Sequence, residues 1–398
     1  LDLPAPNTFS PVLAVWRDAR DSASTGADIW RSSFSECVST DPAGGVAVCA
    51  DAGDQDRPSI AVTGNPCLWC SGRLNAGTVV AWQDARNGSN LDVYARHLDG
   101  VAPPSAWDVA AIAICAAPGD QSDVVVRGDE AGGATLAWID RRGGGADVYA
   151  QRVDSAGVAQ WAAGGIAVCD APGDQTGLVM FRATSDYILG GAFDDMLLVW
   201  LDTRSGMPQI RALRMTATGD PAPGWSAGGN AVSEPPAHPR EFRATRDGAG
   251  GLFVAWTDVR DDASGDVYAQ HLAATGAPVA GWPAGGLAVA AGGAAERMGD
   301  VAPDGQGGAF VVWEDERNVD PVLAPDNADV FAQRLLPGGA AAPGWPAGGL
   351  ALCLASHAQR GVRAVESRRL LFAVWVDARG EPGATDLYGI GADDRGAV

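Results

Sequence analysis

A seven-bladed β-propeller, an all-β fold of four-stranded antiparallel blades, is predicted by three features of the sequence. The motif W-x-D-x-R occurs seven times, and its tryptophans are Trp16, Trp82, Trp138, Trp200, Trp256, Trp313 and Trp375. Successive tryptophans are 56 to 66 residues apart, which suits a four-stranded propeller unit with long loops. In the most regular copy, Leu252 to Val289, the phrases D-V-Y-A-Q-H and W-P-A-G-G-L-A-V follow the motif. Because the repeat covers the chain, we expect residues 1–398 to form one domain.

Each unit is expected to contribute four strands, named A to D along the chain. Strand A precedes a glycine-rich turn, as at 297–302, and strand B is the apolar run that ends in W-x-D-x-R, as at 309–313. Strand C reads D-V-[YF]-A-Q-[RH], and strand D reads G-G-[IL]-A-[VL]. Strand B is apolar on both faces, as expected of a strand covered by a neighbouring blade on each side. Glycine and proline clusters separate the strands and leave no window for a helix.

The units differ in their loops and at the two ends of the chain. Blade two carries an insertion at 63–77, blade four loses the strand C motif at 209–214, and blade six has the longest B–C loop, 318–328. The repeat supplies no strand A to blade one, for which 1–3 is the candidate, and no strand D to blade seven, for which 396–398 is the candidate. An unpaired edge can accept a strand from another chain. We therefore expect any self-association to use the edge of blade seven.

The charge of the chain limits its partners. The formal net charge is −21 and all 28 basic residues are arginines. Such an acidic surface argues against nucleic acid and anionic membranes as partners, and no apolar run approaches the ~18 residues that span a bilayer. The chain begins at Leu1 rather than Met. We expect an exported protein, extracellular or on the cell surface, whose targeting segment is absent from this chain.

Four of the seven cysteines share one register, directly after strand D: Cys49, Cys115, Cys169 and Cys353. Equivalent positions in different blades lie too far apart for a disulfide, so we expect these four thiols to be unpaired. A disulfide could form only among Cys37, Cys67 and Cys70. The pair Cys67 and Cys70 forms a C-x-x-C, but a loop between strands offers no helix N-terminus to lower a thiol pKa, so a redox role is not favoured.

The motif W-x-D-x-R is interpreted as structural. Its tryptophan, aspartate and arginine lie at alternate positions and share one face of strand B. The aspartate falls where the strand enters the B–C turn, where it can accept backbone N–H groups and pair with the arginine. A residue that recurs in every blade is expected to stabilise a feature that every blade shares, which here is the hairpin between strands B and C. His97 and His271, which share a register of strand C, are also interpreted as structural.

A second repeated triplet, G-D-Q, lies in the connections between strand D of one blade and strand A of the next. In propellers these connections share a face with the B–C loops, and we call that face the loop face. One interpretation is a turn capped by the aspartate; the other is a cluster of polar groups able to bind a sugar or a cation. A protein or glycan partner is expected to bind at this loop face. The candidate residues are Asp54, Gln55, Asp120, Gln121, Asp174 and Gln175.

The B–C loop of blade six is a candidate cation site. Its oxygen-bearing side chains are Asn318, Asp320, Asp326, Asn327 and Asp329. Oxygen ligands at this density suit Ca²⁺, and Asp320, Asp326 and Asp329 would supply the carboxylates. The spacing is not that of an EF-hand, and acidic loops are common in a chain this acidic. Ca²⁺ is the one cofactor that the sequence suggests.

In its registered W-x-D-x-R and D-V-Y-A-Q-R copies, the chain resembles the repeat-built β-propellers of secreted bacterial proteins, mostly of unknown function. The resemblance implies the fold and carries no activity. The sequence contains no G-x-S-x-G, no histidine cluster and no S-x-D-x-G-x-x-W box. We therefore expect a non-enzymatic binding or structural module that turns over no common ester, peptide or glycoside. The alternative is a carbohydrate-active propeller, a lectin or a glycosidase, which would use the G-D-Q turns or Asp186, Tyr187, Asp194 and Asp195.

Overall fold

The fold is almost entirely β-sheet, as the repeat predicts. The computed structural model describes residues 12–20, 23, 25–35, 38–39, 41–63, 77–98, 106–129, 131–183, 195–261, 263–319, 322, 326–380 and 384–398. These residues form 27 strands and one helical turn, and the strands make seven antiparallel sheets. The fold is a seven-bladed β-propeller, so the predicted fold class is confirmed. Within the described ranges, no helix has the length and apolar character needed to cross a membrane.

The chain divides into two compact units. The first comprises the described residues up to Arg182 together with Met215–Asp220. It contains blades one to three and the first strand of blade four. Its elements are β1 (Val12–Asp18), β2 (Asp28–Ser35), β3 (Val38–Ser39), β4 (Val46–Cys49), β5 (Gln55–Val62), β6 (Thr78–Asp84), β7 (Asp92–Leu98), α1 (Ala106–Val109), β8 (Ile112–Cys115), β9 (Gln121–Gly128), β10 (Ala134–Asp140), β11 (Asp147–Val153), β12 (Ile166–Cys169) and β13 (Gln175–Arg182). The single turn α1 is the exception to the expectation that no helix forms.

The second unit comprises Ala183, Asp195–Arg214 and Pro221–Val398. It contains the remainder of blade four and blades five to seven. Its elements are β14 (Met196–Asp202), β15 (Gln209–Met215), β16 (Asn230–Ala231), β17 (Pro239–Arg246), β18 (Leu252–Asp258), β19 (Asp266–Leu272), β20 (Leu287–Ala290), β21 (Glu296–Pro303), β22 (Ala309–Asp315), β23 (Asp329–Leu335), β24 (Leu350–Cys353), β25 (Gln359–Ser367), β26 (Leu370–Asp377) and β27 (Asp386–Ala392).

Blades two to six are meanders in which strands A to D are neighbours in chain order. Their sheets run β5-β6-β7-β8, β9-β10-β11-β12, β13-β14-β15-β16, β17-β18-β19-β20 and β21-β22-β23-β24. In blade one, β1, β2 and β3 are neighbours and β4 also pairs with β2. The candidate strand A of blade one, 1–3, lies outside the described residues, so that prediction stays a prediction, as does the prediction of one domain.

The predicted strand D of blade seven, at 396–398, is wrong. In the described part of that blade the sheet has three strands, β25-β26-β27. Residues 393–397 instead form a tight turn, in which the Asp393 N–H donates to the Ala397 carbonyl (2.9 Å) and the Asp393 carboxylate accepts the Ala397 N–H (2.8 Å). The same turn joins strands C and D of blade three, where Asp154 and Val158 make equivalent bonds. An aspartate that satisfies its own turn favours the turn over a strand.

The W-x-D-x-R motif forms a closed network in every blade. In blade five, Asp258 is fully buried and accepts the Trp256 indole N–H at 2.7 Å and the Arg260 guanidinium at 2.6 Å. It also accepts the backbone N–H groups of Arg260 (2.9 Å) and His238 (3.0 Å). The indole-to-aspartate bond recurs in all seven blades at 2.7–3.1 Å. The structural interpretation of the motif is confirmed.

The arginine of the motif also binds the outer part of its blade. The Arg260 guanidinium lies over the Tyr268 ring, 3.8 Å from its centroid, and donates to the Gly285 carbonyl at 2.6 Å. The next residue, Gly286, has φ +90°, and a Cβ there would lie 2.4 Å from the Trp256 ring. The second glycine of the G-G pair is therefore required by the tryptophan of the same blade. This contact explains why W-x-D-x-R and G-G recur together in the sequence.

A second set of tryptophans joins neighbouring blades within each unit. In the second unit, the Trp225 indole N–H donates to the Ala274 carbonyl at 2.9 Å, and the Trp282 indole N–H donates to the Pro337 carbonyl at 2.8 Å. In the first unit, Trp107 makes the equivalent bond to Ser155 at 3.1 Å. Each of these residues follows strand C of one blade and contacts the C–D turn of the next. This is the role of the tryptophan in the phrase W-P-A-G-G.

The four cysteines predicted to be outside any disulfide all carry a thiol: Cys49, Cys115, Cys169 and Cys353. Three of them accept an arginine N–H from the next blade's W-x-D-x-R, as in the 3.2 Å bond from Arg86 to Cys49. Cys37, Cys67 and Cys70 lie outside the described residues. The histidines predicted to be structural are buried and bonded: His97 contacts Thr63 (2.8 Å), and His271 contacts Asp247 (3.1 Å).

The first prediction concerns the buried aspartate. Asp258→Ala should lower the free energy of unfolding by about 3 to 5 kcal/mol, because the Arg260 charge and the Trp256 N–H then lose their buried partner. Urea unfolding followed by circular dichroism measures the loss. Asp261→Ala is the matched control, since the described hydrogen bond of Asp261 is to the Tyr268 hydroxyl alone, at 3.2 Å. Equal destabilisation by the two changes would contradict the central role of the network.

The second prediction concerns thiol reactivity. Burial raises the pKa of the Cys49 thiol to about 12, and it also raises the pKa of Cys115. Because the thiolate is the reactive species, we expect neither residue to be alkylated by iodoacetamide at pH 8 until the protein is unfolded. Mass spectrometry of peptides labelled with and without denaturant tests this. Rapid native labelling of Cys49 or Cys115 would show that these positions are not enclosed between blades.

Candidate functional site

The G-D-Q aspartates cap the B–C loop of the preceding blade. The Asp54 carboxylate accepts the Ala27 N–H at 2.8 Å, and the Asp120 carboxylate accepts the Leu91 N–H at 2.9 Å. Asp174 accepts the Ala146 N–H at 3.0 Å. All three side chains therefore lie on the loop face, at the place where the sequence predicts them.

The glutamines of the triplets are buried beneath that face. Gln55, Gln121 and Gln175 are fully enclosed, and each side-chain amide donates to a turn carbonyl two residues before it. A fourth glutamine, Gln359, occupies the same position in blade seven and bonds to the His357 carbonyl at 2.7 Å. Enclosed side chains cannot meet a large ligand at the surface. The geometry gives these glutamines a turn-stabilising role, and a ligand-binding role for the triplets stays a prediction.

One G-D-Q turn borders an open cleft in the first unit. The cleft has a volume of about 730 Å³ and is lined by Asn87, Ser89, Asn90, Asp120 and residues 116–119. The Asn90 amide donates to the Gly119 carbonyl at 2.8 Å and fixes the B–C loop of blade two against the next turn. The lining thus presents amide, hydroxyl and carboxylate groups on a held backbone, which is the chemistry that binds sugar hydroxyl groups.

An ion pair between two residues with a strained backbone lies on the loop face of the same two blades. Arg57 and Asp123 have φ values of +51° and +54°, which non-glycine residues rarely adopt. Each sits at a β-bulge, where strand A slips in register against strand B. Their side chains pair with each other across the two blades. Both remain accessible, with side-chain exposures of 61% and 44%.

Neighbouring side chains extend the pair. Arg17 lies 3.6 Å from Asp56, whose carboxylate accepts the Arg57 N–H at 2.7 Å. The Gln83 side-chain oxygen accepts the Asp123 N–H at 3.3 Å. Two accessible carboxylates therefore each lie beside an accessible guanidinium, Asp56 beside Arg17 and Asp123 beside Arg57. Carboxylates and a guanidinium in this arrangement can bind a polyol and transfer a proton.

The strained pair was missed by the sequence analysis, although the repeat contains a signal for it. The matching position of the bulge is glycine in blades four and seven, and Gly177 and Gly361 also have positive φ, +65° and +66°. Arg57 and Asp123 occupy a backbone conformation that glycine adopts without strain. Because backbone strain of this kind is concentrated at functional sites, the pair is a candidate for one.

The candidate cation loop of blade six is held by other partners. Asp326 lies 3.4 Å from Arg360, and the Asn318 amide donates to Asp329 at 2.7 Å. Among the residues that the structure describes, no group of three or more acidic, histidine or cysteine side chains is arranged to hold a metal ion. Asp320 lies outside the described residues, so the Ca²⁺ prediction stays a prediction.

The alternative site in blade four is described only at its end. Asp195 pairs with Arg214, whose Nε atom lies 2.8 Å from the carboxylate. Asp186, Tyr187 and Asp194 lie outside the described residues. A sugar-binding role for these four residues therefore stays a prediction.

The chain matches no protein-family model and no curated protein. It is similar in structure to a polysaccharide lyase, with a TM-score of 0.50, 7% identity, and coverage of 97% of this chain and 90% of the lyase. It is also similar to an α-L-arabinanase of Penicillium chrysogenum complexed with arabinobiose (TM-score 0.36, 11% identity, 85% and 93% covered). A third similar structure is puromycin hydrolase (TM-score 0.44, 15% identity), and the chain, 99% of which is covered, spans about half of its length, 54%. At these identities the likeness shows the fold.

The comparisons correct two predictions. We expected a non-enzymatic binding or structural module, whereas some of the solved structures that this chain resembles are enzymes, among them the polysaccharide lyase at a TM-score of 0.50. The prediction that the chain is not an enzyme is overturned with it. The error came from treating missing hydrolase motifs as evidence against catalysis, although propellers build sites from loop residues that share no short motif. Interaction with a glycan, the second of the two partner classes considered, is consistent with these neighbours.

The third prediction tests the backbone strain. Arg57→Gly should be about 1 kcal/mol more stable than Arg57→Ala, because both lose the ion pair and only alanine retains the cost of positive φ. Thermal unfolding of the two variants measures the difference. Arg297, an exposed residue of β21 outside the positive-φ positions, is the matched control, and there the alanine variant should be the more stable. If the alanine variant were more stable than the glycine variant at position 57 as well as at position 297, the backbone of Arg57 would be unstrained.

Proposed function

We propose that the protein is a carbohydrate-active enzyme that cleaves an uncharged polysaccharide at the loop face of blades two and three. The observation that carries the proposal is the accessible pair Arg57 and Asp123, kept at positive φ where blades four and seven use glycine. The polar cleft lined by Asn87, Asn90 and Asp120 is built from the same two blades. Similarity to a polysaccharide lyase, at a TM-score of 0.50, supports the choice of substrate class.

The groups at the site suit hydrolysis of a glycosidic bond. Glycosidases place two carboxyl groups beside the bond, one to protonate the leaving oxygen and one to act as base or nucleophile. The two accessible carboxylates are Asp123, which pairs with the Arg57 guanidinium, and Asp56, which pairs with Arg17 and accepts the Arg57 backbone N–H. In this proposal Arg57 positions the Asp123 carboxylate and donates to sugar hydroxyl groups, while the cleft holds the neighbouring sugar residues.

The net charge supports an uncharged substrate. A chain with a formal charge of −21 repels polyanions at long range, and this repulsion weakens as salt rises. A neutral glycan meets no such barrier. The proposal also includes an extracellular or cell-surface location, where polysaccharides are accessible.

The fourth prediction tests this function. The wild-type protein, incubated with a panel of neutral and acidic polysaccharides, should release reducing ends from a neutral one. Asp123→Asn, which keeps the shape of the side chain and removes its charge, should lower kcat/KM by about tenfold or more, because a positioned catalytic group is lost. Asp220→Asn, at an exposed C–D turn distant in sequence from the site, is the matched control and should keep full activity.

The outcomes separate hydrolysis from elimination. Reducing ends without an unsaturated product support the proposal, whereas unsaturated uronate from an acidic polysaccharide would replace hydrolysis by β-elimination. Full activity of Asp123→Asn in a protein with unchanged circular dichroism would move the site elsewhere. Binding of glycans on an array with no product from any of them would reduce the function to that of a lectin.

A further inference from the structure

A buried arginine near the end of strand C joins blade six to blade seven. Arg334 of β23 donates through Nε and Nη2 to the Asp304 carboxylate, at 3.0 and 2.8 Å, and through Nη1 to the Asp394 carbonyl at 2.8 Å. Asp304 lies in the A–B turn of the same blade, and Asp394 lies in the turn that follows strand C of the next blade. An arginine keeps its charge, and all of its donors, throughout the pH range in which proteins fold.

In blade five a histidine makes the same two contacts. His271 occupies the position of that arginine in β19. Its Nε2 atom lies 3.1 Å from the carboxylate of Asp247, in the A–B turn of blade five, and its Nδ1 atom lies 3.2 Å from the carbonyl of Pro337, in the turn that follows strand C of blade six. Only 5% of the residue is exposed. The imidazole therefore stands in for a guanidinium.

Both partners of the His271 ring can only accept hydrogen bonds. A backbone carbonyl has no proton to donate, and the Asp247 carboxyl group is ionised. Burial would raise the pKa of Asp247, but the hydrogen bonds from His271 and from the backbone N–H groups of Ala249 (2.7 Å) and Gly251 (2.8 Å) outweigh burial, and the pKa is lowered. A neutral imidazole carries one N–H group and an imidazolium carries two. Only the imidazolium can donate to both partners.

His97, at the same position of blade two, has a different pair of partners. Its Nδ1 atom lies 2.5 Å from the Asp108 carboxylate, and its Nε2 atom lies 2.8 Å from the Thr63 hydroxyl. A hydroxyl group can donate or accept a hydrogen bond, so both contacts of this ring can form whether it is neutral or charged. The comparison shows what is special in blade five, which is a ring between two groups that only accept.

The rest of the surroundings of the His271 ring are apolar. On β18, Phe253 stacks on the imidazole with the ring centroids 3.9 Å apart, and Trp282 meets it edge-on at 5.9 Å. The turn of blade six that supplies the carbonyl, 336–340, contains no titratable side chain. Among the described residues, Asp247 is the charged group bonded to the ring. The other charged or titratable residues on the neighbouring elements are Arg246 at the end of β17, Asp258 at the far end of β18, Asp266 and Tyr268 towards the far end of β19, and the paired Asp304 and Arg334 of blade six.

We propose that His271 is a proton-dependent link between blades five and six. With both ring nitrogens protonated, Nε2 donates to Asp247 and Nδ1 donates to Pro337. At alkaline pH the Nδ1 proton leaves to solvent, because the bond from Nε2 to an ionised carboxylate is the stronger of the two. The Nδ1 lone pair then faces the carbonyl oxygen, and this link between the blades is lost. All of these residues belong to the second unit, and the inference does not depend on the proposed enzymatic function.

The direction of the pH effect follows from these bonds. The folded protein offers an acceptor to each N–H group of the charged ring, so folding favours the charged form. The stabilisation from the link is therefore complete at a pH where a solvated imidazole is also protonated, and it is lost as the pH rises beyond about 6.5, near which a solvated imidazole titrates. Asp247 sets the acid limit. Its contribution is present above its ordinary pKa of 3.8 and is lost as the pH falls below that value.

The fifth prediction uses His271→Arg, which places the residue of blade six in blade five. A guanidinium stays charged at pH 9, so the variant should keep both bonds there. The melting temperature of the variant, relative to the wild type, should therefore rise by several degrees between pH 5 and pH 9. The matched change is Arg334→His in blade six, which should introduce the same loss of stability at alkaline pH.

The tautomers of the two histidines provide a test on the unmodified protein. Nitrogen NMR of isotopically labelled histidine at pH 9 should show the ring proton on Nε2 of His271 and on Nδ1 of His97, because each neutral ring keeps the proton that its carboxylate binds. At pH 5 both ring nitrogens of His271 should be protonated. The signals of His271 are identified by their loss in His271→Arg.

Two results would overturn the proposal. One is a difference in melting temperature between the wild type and His271→Arg that is the same at pH 5 and at pH 9. The other is a ring proton on Nδ1 of His271 at pH 9, because the bond to Pro337 would then survive the loss of charge.

Discussion

The buried aspartate of W-x-D-x-R is the constraint on which the rest of each blade depends. Asp258 closes the B–C turn, accepts the indole of strand B and holds an arginine. That arginine covers the aromatic residue of strand C and donates to the Gly285 carbonyl in the turn before strand D. Burial alone would raise the pKa of Asp258, but the hydrogen bonds from Arg260 and Trp256 outweigh it and the pKa is lowered. One carboxylate and its arginine therefore connect strands B and C with the segments that lead into strands A and D.

The repeat made most of the fold predictable because it repeats contacts as well as residues. The W-x-D-x-R triplet, the paired glycines and the tyrosine are in contact with one another, so their joint recurrence indicates one closed network. The register shared by Cys49 and Cys115 predicted free thiols for the same reason. The prediction of an outer strand at 396–398 was wrong because only three residues favour a strand there, whereas Asp393 favours a turn. The same aspartate turn occurs in the sequence of blade three.

The candidate site could be predicted only in part. The sequence places Asp120 on the loop face, and the structure puts it at the edge of a cleft. The pair Arg57 and Asp123 was not predicted, because the positive φ of each residue is caused by a β-bulge. The local sequence around these residues does not indicate that bulge. Comparison with Gly177 and Gly361 would have revealed it, since glycine at a bulge marks the conformation that the other residues must share. The sequence analysis gave the carbohydrate-active function only as its alternative, because sites built from loops leave no short motif.

The buried indoles of the W-x-D-x-R motifs affect the fluorescence expected of this protein. Six of the seven W-x-D-x-R tryptophans are buried, and each donates its N–H to a carboxylate, so their fluorescence should differ from that of indoles in water. Because the motif occurs once per blade, every blade carries its own emitter at the same structural position. The chain has 14 tryptophans, so a single emitter at one of these positions remains only when all the other tryptophans are replaced by phenylalanine. A set of seven such proteins would report on the opening of each blade in turn.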